Sequence, residues 1–569
     1  MKKKFVLVVF SLLIIGSLLL AACGPAAEAP AEEAAPAEEE AAPAEEEAAP
    51  AEEEAAPAEE EAAPAEEEMS EEPIQIVFAE PGSYSALDPF TNAWHATPSY
   101  AVFATLVTLT PDLTEYVGYL VDGWVVAEDN MSLTFTLKEG VTFSDGTPVN
   151  SEAIKYNIDK QLDPELASPA GGDLRDNVAS CDVVDDLNFT LNLQQPYAPI
   201  LYVLSGLEIV SPTAYEELGP DAYSQQLIAA GPWTVTEIIP DVSITYAANP
   251  DFAWAPSYAE NQGALNYDSL LIRYIGDEAV TYAALETGEI DIASIPPQFL
   301  PDAQANENIE IVEAVETTLS YLGINNEFPP FDNINVRKAL AYGVNRDEII
   351  QVGYEGAAIA TYAPLAVGTI GYNKEMEDYS METSDDQAMS IELLEGEGYV
   401  LNADGVYEKD GVALEFSFMV WPDPARQRVA ETIQAQLAEI GVKTNIEVVE
   451  STVIKEATIN GTHELMYWLY GYLDPMIMTY TFDSTRIGAS NRNRVNDPVM
   501  DELLAAMDQE LDPVARLDKV KDAQKQLIDN RYHIPLLTQV VYVGYRSDKI
   551  DPSFDVLGGI LWFDTKPLN

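Results

Sequence analysis

The residue types that carry enzymatic chemistry are all present in this chain, but never at the spacing such chemistry needs. Its three histidines, His95, His463 and His533, are too scattered for a spaced metal motif, and no His-Glu-x-x-His occurs. No Gly-x-Ser-x-Gly elbow and no Gly-rich phosphate loop of the Walker type appears. With 97 acidic residues a glycosidase-like carboxylate pair stays open, but nothing assigns a nucleophile or a base. What stands out is an aromatic run, Met466 to Pro475, reading Met-Tyr-Trp-Leu-Tyr-Gly-Tyr-Leu-Asp-Pro. Trp468, Tyr470 and Tyr472 alternate along it, and Trp421 stands upstream. Such rings offer flat faces to a side chain or a sugar ring. Aromatics at alternating strand positions also suit a core. Binding, rather than turnover, is the chemistry this pattern supports.

The elements that would position these rings are legible around them. Leu414, Phe416, Phe418 and Val420 alternate as a strand. A helix follows with Val429, Ile433, Leu437 and Ile440 on one stripe, ended by Gly441. Val442, Thr444, Ile446 and Val448 then form a second strand, and a crossover of this length makes the two parallel. Further on, Asp512 caps and Pro513 opens a helix with Leu517, Val520 and Leu527 inward. Earlier, Leu133, Phe135 and Leu137 read as a half-buried strand, and a helix starts near Ser151 with Ile154, Ile158 and Leu162 on one face. Interleaved strands and helices make the body an α/β protein.

The amino-terminal end is another material. Lys2, Lys3 and Lys4 precede an apolar run from Phe5 to Leu20, shorter than the roughly 20 residues of a spanning helix. It ends in Leu20-Ala21-Ala22-Cys23-Gly24, which resembles the lipobox of bacterial lipoproteins, with Cys23 the lipidated residue. Two or more acyl chains would anchor it firmly. Cys181 then has no partner, so no disulfide is expected. From Ala34 to Glu68 the unit Ala-Ala-Pro-Ala-Glu-Glu-Glu repeats five times. It lacks the Leu, Ile or Val of a coiled-coil seam and carries a proline in every second turn, so residues 23–72 are a solvated, semi-stiff spacer. The formal net charge of −69 argues against nucleic acid as a partner. It fits either a cationic ligand or a soluble surface suited to a saline habitat.

Along almost the whole body the chain resembles the family 5 extracellular solute-binding proteins, the dipeptide, oligopeptide and nickel-binding group. The resemblance rests on motifs in one order: Leu87-Asp88-Pro89; Trp124 with the stretch Leu133 to Pro148; Gly231-Pro232-Trp233-Thr234-Val235; Asn249-Pro250-Asp251-Phe252; Ala284-Leu285-Glu286-Thr287-Gly288-Glu289-Ile290-Asp291; and Tyr321 to Asn325 leading into Phe331 to Tyr342 and Asn345-Arg346-Asp347. Lys138 replaces the family's usual arginine, and Gly231 lacks the preceding Gly-Thr.

This resemblance implies an α/β two-lobed periplasmic-binding-protein-like clamp (type II, cluster C-like) with an extra small domain. Residues 1–22 would be the signal peptide and 23–72 the spacer. Residues 73–107, 230–320 and 536–569 would form domain I, with 108–229 as domain II packed on it and 321–535 as domain III. The implied role is substrate capture for an ABC importer, with short peptides as the favoured solute. A membrane permease and an ATPase would be the partners, the protein would sit lipid-anchored outside the cytoplasm, and no cofactor or metal is called for. In the family's peptide binders an aspartate of an Asp-Pro segment pairs with the ligand's α-amino group; carried over, this is Asp474. Alternatively, Asp474 starts a turn before Pro475. Trp421, Trp468, Tyr470 and Tyr472, together with Trp94 and His95 after the Leu-Asp-Pro motif, are the other candidate site residues. An oligosaccharide or a nickel chelate is the alternative solute. A hydrolase of peptides or glycosides, or a surface adhesin or sensor, is the alternative of another class.

Overall fold

The computed structural model describes residues 73–83, 87–91, 97–166, 168, 171–382 and 384–568. The signal segment, Cys23, the acidic spacer, Trp94 and His95 lie outside the described residues. Residues 71–569 form one compact unit.

Alternation and capping produce the elements largely where they were expected. Along Ser132–Leu137 the side chains of Leu133, Phe135 and Leu137 are buried, and Phe135 stacks on Phe189 with ring centroids 5.1 Å apart. This strand sits in a four-stranded antiparallel sheet, ordered Val121–Val126, Ser132–Leu137, Asn188–Leu193, Val178–Val183. Helix Ser151–Leu162 packs on it, capped by the Asn150 side chain accepting the Ala153 N–H, with Ile154 and Ile158 buried. Cys181 is a buried free thiol in this sheet, pushed up to about 12 by burial.

Strands Glu415–Val420 and Lys443–Val448 flank helix Pro424–Glu439 and pair in parallel, Phe418 opposite Ile446. Gly441 ends the crossover at φ +72°, where a Cβ would strike the Tyr407 ring, so glycine is required there. Helix Pro513–Asn530 begins at the Asp512 cap, and Val520 and Leu527 are buried. Leu517 was expected inward, but it is 46% exposed. Val514 is exposed as well.

The main sheet, eleven-stranded among the described residues, runs through two long antiparallel strands, Ile309–Ile324 and His533–Arg546. On one side of them lie Ile292–Ser294, Gln75–Glu80, Ser269–Tyr274, Ser243–Ala248 and Trp233–Ile239. On the other lie Leu465–Gly471, Glu415–Val420 and Lys443–Val448. Each long strand serves both sides: Ile309 to Val315 pair with Val540 to Arg546, and Leu319 to Gly323 with His533 to Thr538. Between Val315 and Leu319 the ladder shifts register. The apolar interior divides the same way. One core joins Ile76, Leu270 and Ile272 to Phe135 of the four-stranded sheet. Another holds Leu322, Phe418, Ile433, Leu465 and Ile534, with a neighbouring cluster around Met466, Tyr470, Phe482 and Leu527. These are the cores of two lobes joined by the long strands.

Candidate functional site

The aromatic run forms strand Leu465–Gly471, antiparallel to Ile309–Ile324 with Tyr321 opposite Trp468. The two-residue period splits its rings between two faces. Tyr467 joins the core with Phe418, whereas Met466, Trp468 and Tyr470 face the neighbouring cluster. Trp421, one residue past strand Glu415–Val420, meets Trp468 edge to face at 5.0 Å. Together with Tyr321, Tyr472 and Tyr480 they line a cavity of about 620 Å³. The sequence candidates thus converge, but in different roles. Trp421 and Trp468 are half-buried wall residues. Tyr470 is nearly enclosed: its hydroxyl donates to the Pro364 carbonyl at 2.5 Å and lies 3.2 Å from His533 Nε2. It serves as the cavity's floor.

A second hollow of about 420 Å³ shares Gly471, Tyr472 and Tyr480 with the first and is bordered by both lobes. The lobe that carries the four-stranded sheet, lobe 1, contributes Tyr202 and Asp173, and Tyr472 bridges the gap, with Tyr480 at 6.0 Å and Tyr202 at 5.9 Å. Burial pushes the Asp173 carboxyl above its ordinary range, against the pull of Arg486. Contacts between lobes surround this hollow. The Ala198 N–H donates to the Asp508 carbonyl at 2.6 Å, Arg486 lies 3.9 Å from Asp176, and Met476 packs into the core of lobe 1.

Asp474, the candidate anchor for a ligand amine, has a partner within its own lobe. It is 2% exposed, and both of its oxygens are taken by Arg516 of helix Pro513–Asn530, at 2.6 and 2.7 Å. Burial opposes the Arg516 charge, but Asp474 beside it prevails and holds the guanidinium above its usual range. Oδ1 also accepts the Met476 N–H at 2.9 Å, the Asx turn that an Asp-Pro pair favours. This carboxylate is thus already paired and hydrogen-bonded within the protein.

Sequence reasoning passed over the cavity's arginine. Arg492 lies on a loop pinned from both sides. Fully buried Asn491 holds the Asp483 and Val495 carbonyls, and Asn493 Oδ1 accepts the Ile324 N–H at 3.2 Å. The guanidinium of Arg492 stands 4.8 Å from the centroid of the Trp468 ring and lines the cavity. Burial lowers its pKa, partly countered by the Tyr321 and Tyr480 hydroxyls. The available signal was scarcity: 28 basic residues in the whole chain, two of them in Asn491-Arg492-Asn493-Arg494. Neither His463 nor His533 lines the cavity. Burial depresses His463 to about 4 and His533 to about 3, so both are neutral inner residues.

Two lobes joined by shared strands, with a cavity at the seam, define a solute-binding clamp. The chain belongs to the bacterial extracellular solute-binding proteins, family 5, whose middle region matches residues 115–490. It is 29% identical over 392 residues to the glutathione-binding protein GsiB of Salmonella typhimurium, covering 66% of this chain and 70% of that one. It is 25% identical over 484 residues to the probable D,D-dipeptide-binding periplasmic protein DdpA of Escherichia coli, covering 81% and 88%. In fold it is similar to the periplasmic binding protein DppA of Helicobacter pylori in complex with the peptide STSA. That match has a TM-score of 0.70 and 23% identity, over 87% of this chain and 99% of the other.

Proposed function

We propose that this protein captures short peptides between its lobes and delivers them to the permease of an ABC importer, whose ATPase supplies the energy. The observation that carries this reading is a pair of adjoining hollows that share Tyr472 and Tyr480, one bordered by both lobes and the other walled by Trp421 and Trp468. Flat rings grip side chains of many kinds, as a receptor for short peptides requires. The relatives named above for glutathione and for D,D-dipeptides bind peptidic solutes, which supports the same class here.

Closure would turn about the two long strands where their ladder shifts register, near Val315 and Leu319. In this reading the moving lobe is residues 321–535, and 108–229 rides with the other lobe. Acylation of Cys23 would hold the protein at the outer face of the membrane, with residues 23–72 as the tether. Replacing Cys23 with Ser should move the protein from the membrane to the soluble fraction; continued sedimentation with membranes would refute the anchor.

The direct test of the solute is to denature the purified protein and identify the released small molecules by mass spectrometry. Short peptides are expected, recovered intact after long incubation. Released sugars would overturn the peptide reading, and cleaved products would argue for a hydrolase.

A further inference from the structure

We propose that Arg492 is the seat of the solute's carboxylate, so that the cavity selects peptides with a free carboxyl terminus. The inference rests on the peptide reading above and assigns the charge chemistry of the same site.

It starts from the donor inventory. A guanidinium carries five N–H donors in a planar fork. Arg492 gives one hydrogen bond, from Nη1 to the Ala489 carbonyl at 3.1 Å. Among the described residues it forms no ion pair, and the ionisable groups that raise its pKa are two tyrosine hydroxyls. Arg337 is a useful contrast. Also buried and without an ion pair among the described residues, it gives its donors to the carbonyls of Phe331, Asp332 and Asn530 and is spent. In a chain with 97 acidic residues, this half-buried arginine keeps open donors and pairs with no carboxylate among the described residues.

The Trp468 face fixes the guanidinium from one side, and the buried Asn491 and Asn493 hold the loop on either side of it. The fork therefore meets its ligand already oriented, which favours a planar, bidentate group such as a carboxylate. At the cavity's edge the side chains of Glu450 and Lys455 are of opposite charge, leaving Arg492 as the inner cation. The site is thus locally positive inside a strongly acidic protein.

The test offers the full-length protein an equimolar tripeptide mixture with free carboxyl termini, and separately the same mixture amidated at the carboxyl end. Retained peptide is measured by ultrafiltration and mass spectrometry. The wild-type protein should retain the free acids about 30-fold or more over the amides. Arg492→Met should abolish that preference, and Arg492→Lys, which keeps the charge and loses the fork, should restore part of it at an unchanged thermal midpoint. Equal retention of acids and amides by the wild type would overturn the assignment while leaving the peptide reading standing. So would a preference that survives Arg492→Met. Retention of neither mixture would overturn the peptide reading itself, and this assignment with it.

Discussion

Arg492 and Arg516 lie in the same lobe, yet they are opposites. Arg516 is locked to Asp474 through two short hydrogen bonds, and the pair is closed to solvent. Arg492 lines an aromatic cavity and forms no ion pair among the described residues. One arginine helps hold the lobe together; the other is open to a ligand. The lesson is that residue type does not assign a charged side chain to a site. What assigns it is whether the fold has already satisfied it.

The comparison breaks most sharply at the paired arginine. Asp474→Ala leaves a buried guanidinium uncompensated and should destabilise the protein by about 3–5 kcal/mol in chemical denaturation. The double variant Asp474→Leu with Arg516→Met should recover much of that loss. If Asp474→Ala instead folds as well as the wild type and loses only peptide binding, Asp474 is the ligand anchor after all.

At the open arginine the pattern reverses. Arg492→Met should lower stability by only about 1 kcal/mol, the cost of its contact with Trp468, while binding collapses. A loss of several kcal/mol there would make Arg492 structural.

A subtler prediction concerns Asp508, beside the paired arginine. Burial pushes its carboxyl up to about 7, although Thr479, which donates to Oδ2 at 2.7 Å, and Arg516 pull it down. An unfolded aspartate titrates near ~3.9, so between these values the folded chain keeps a proton that the unfolded chain has released. The stabilisation is complete below about pH 4 and is lost as pH rises through about 7. Relative to Asp508→Asn, the wild type should therefore lose unfolding free energy across that window. A pH-independent difference between the two would contradict this.

The smallest effect is expected at the wall. Trp468→Ala removes the ring beneath Arg492 and should weaken peptide binding about 3- to 10-fold, measured by calorimetry. An unchanged affinity would remove Trp468 from the site.

Much of this molecule is written locally. Phe416, Phe418 and Val420 announce a buried strand, Asp512-Pro513 announces a helix start, and Gly441 a helix stop, because each depends on neighbours a few residues away. Trp421, Trp468 and Tyr472 were legible as candidates for the same reason: their types and alternation do not depend on distant partners. Leu517 shows where this fails, since a helical stripe says which face is apolar but not how far the neighbouring surface extends.

The sequence by itself determined the α/β body, the family to which it belongs and the stretch on which the aromatic wall would lie. Only the tertiary structure decided which charges are free. Asp474 is separated from Arg516 by 42 residues, and Arg492 faces rings drawn from three distant segments. Periodicity reports which side of an element is buried. It carries no information about which chain segment will arrive opposite, and a carboxylate's role rests on that arrival.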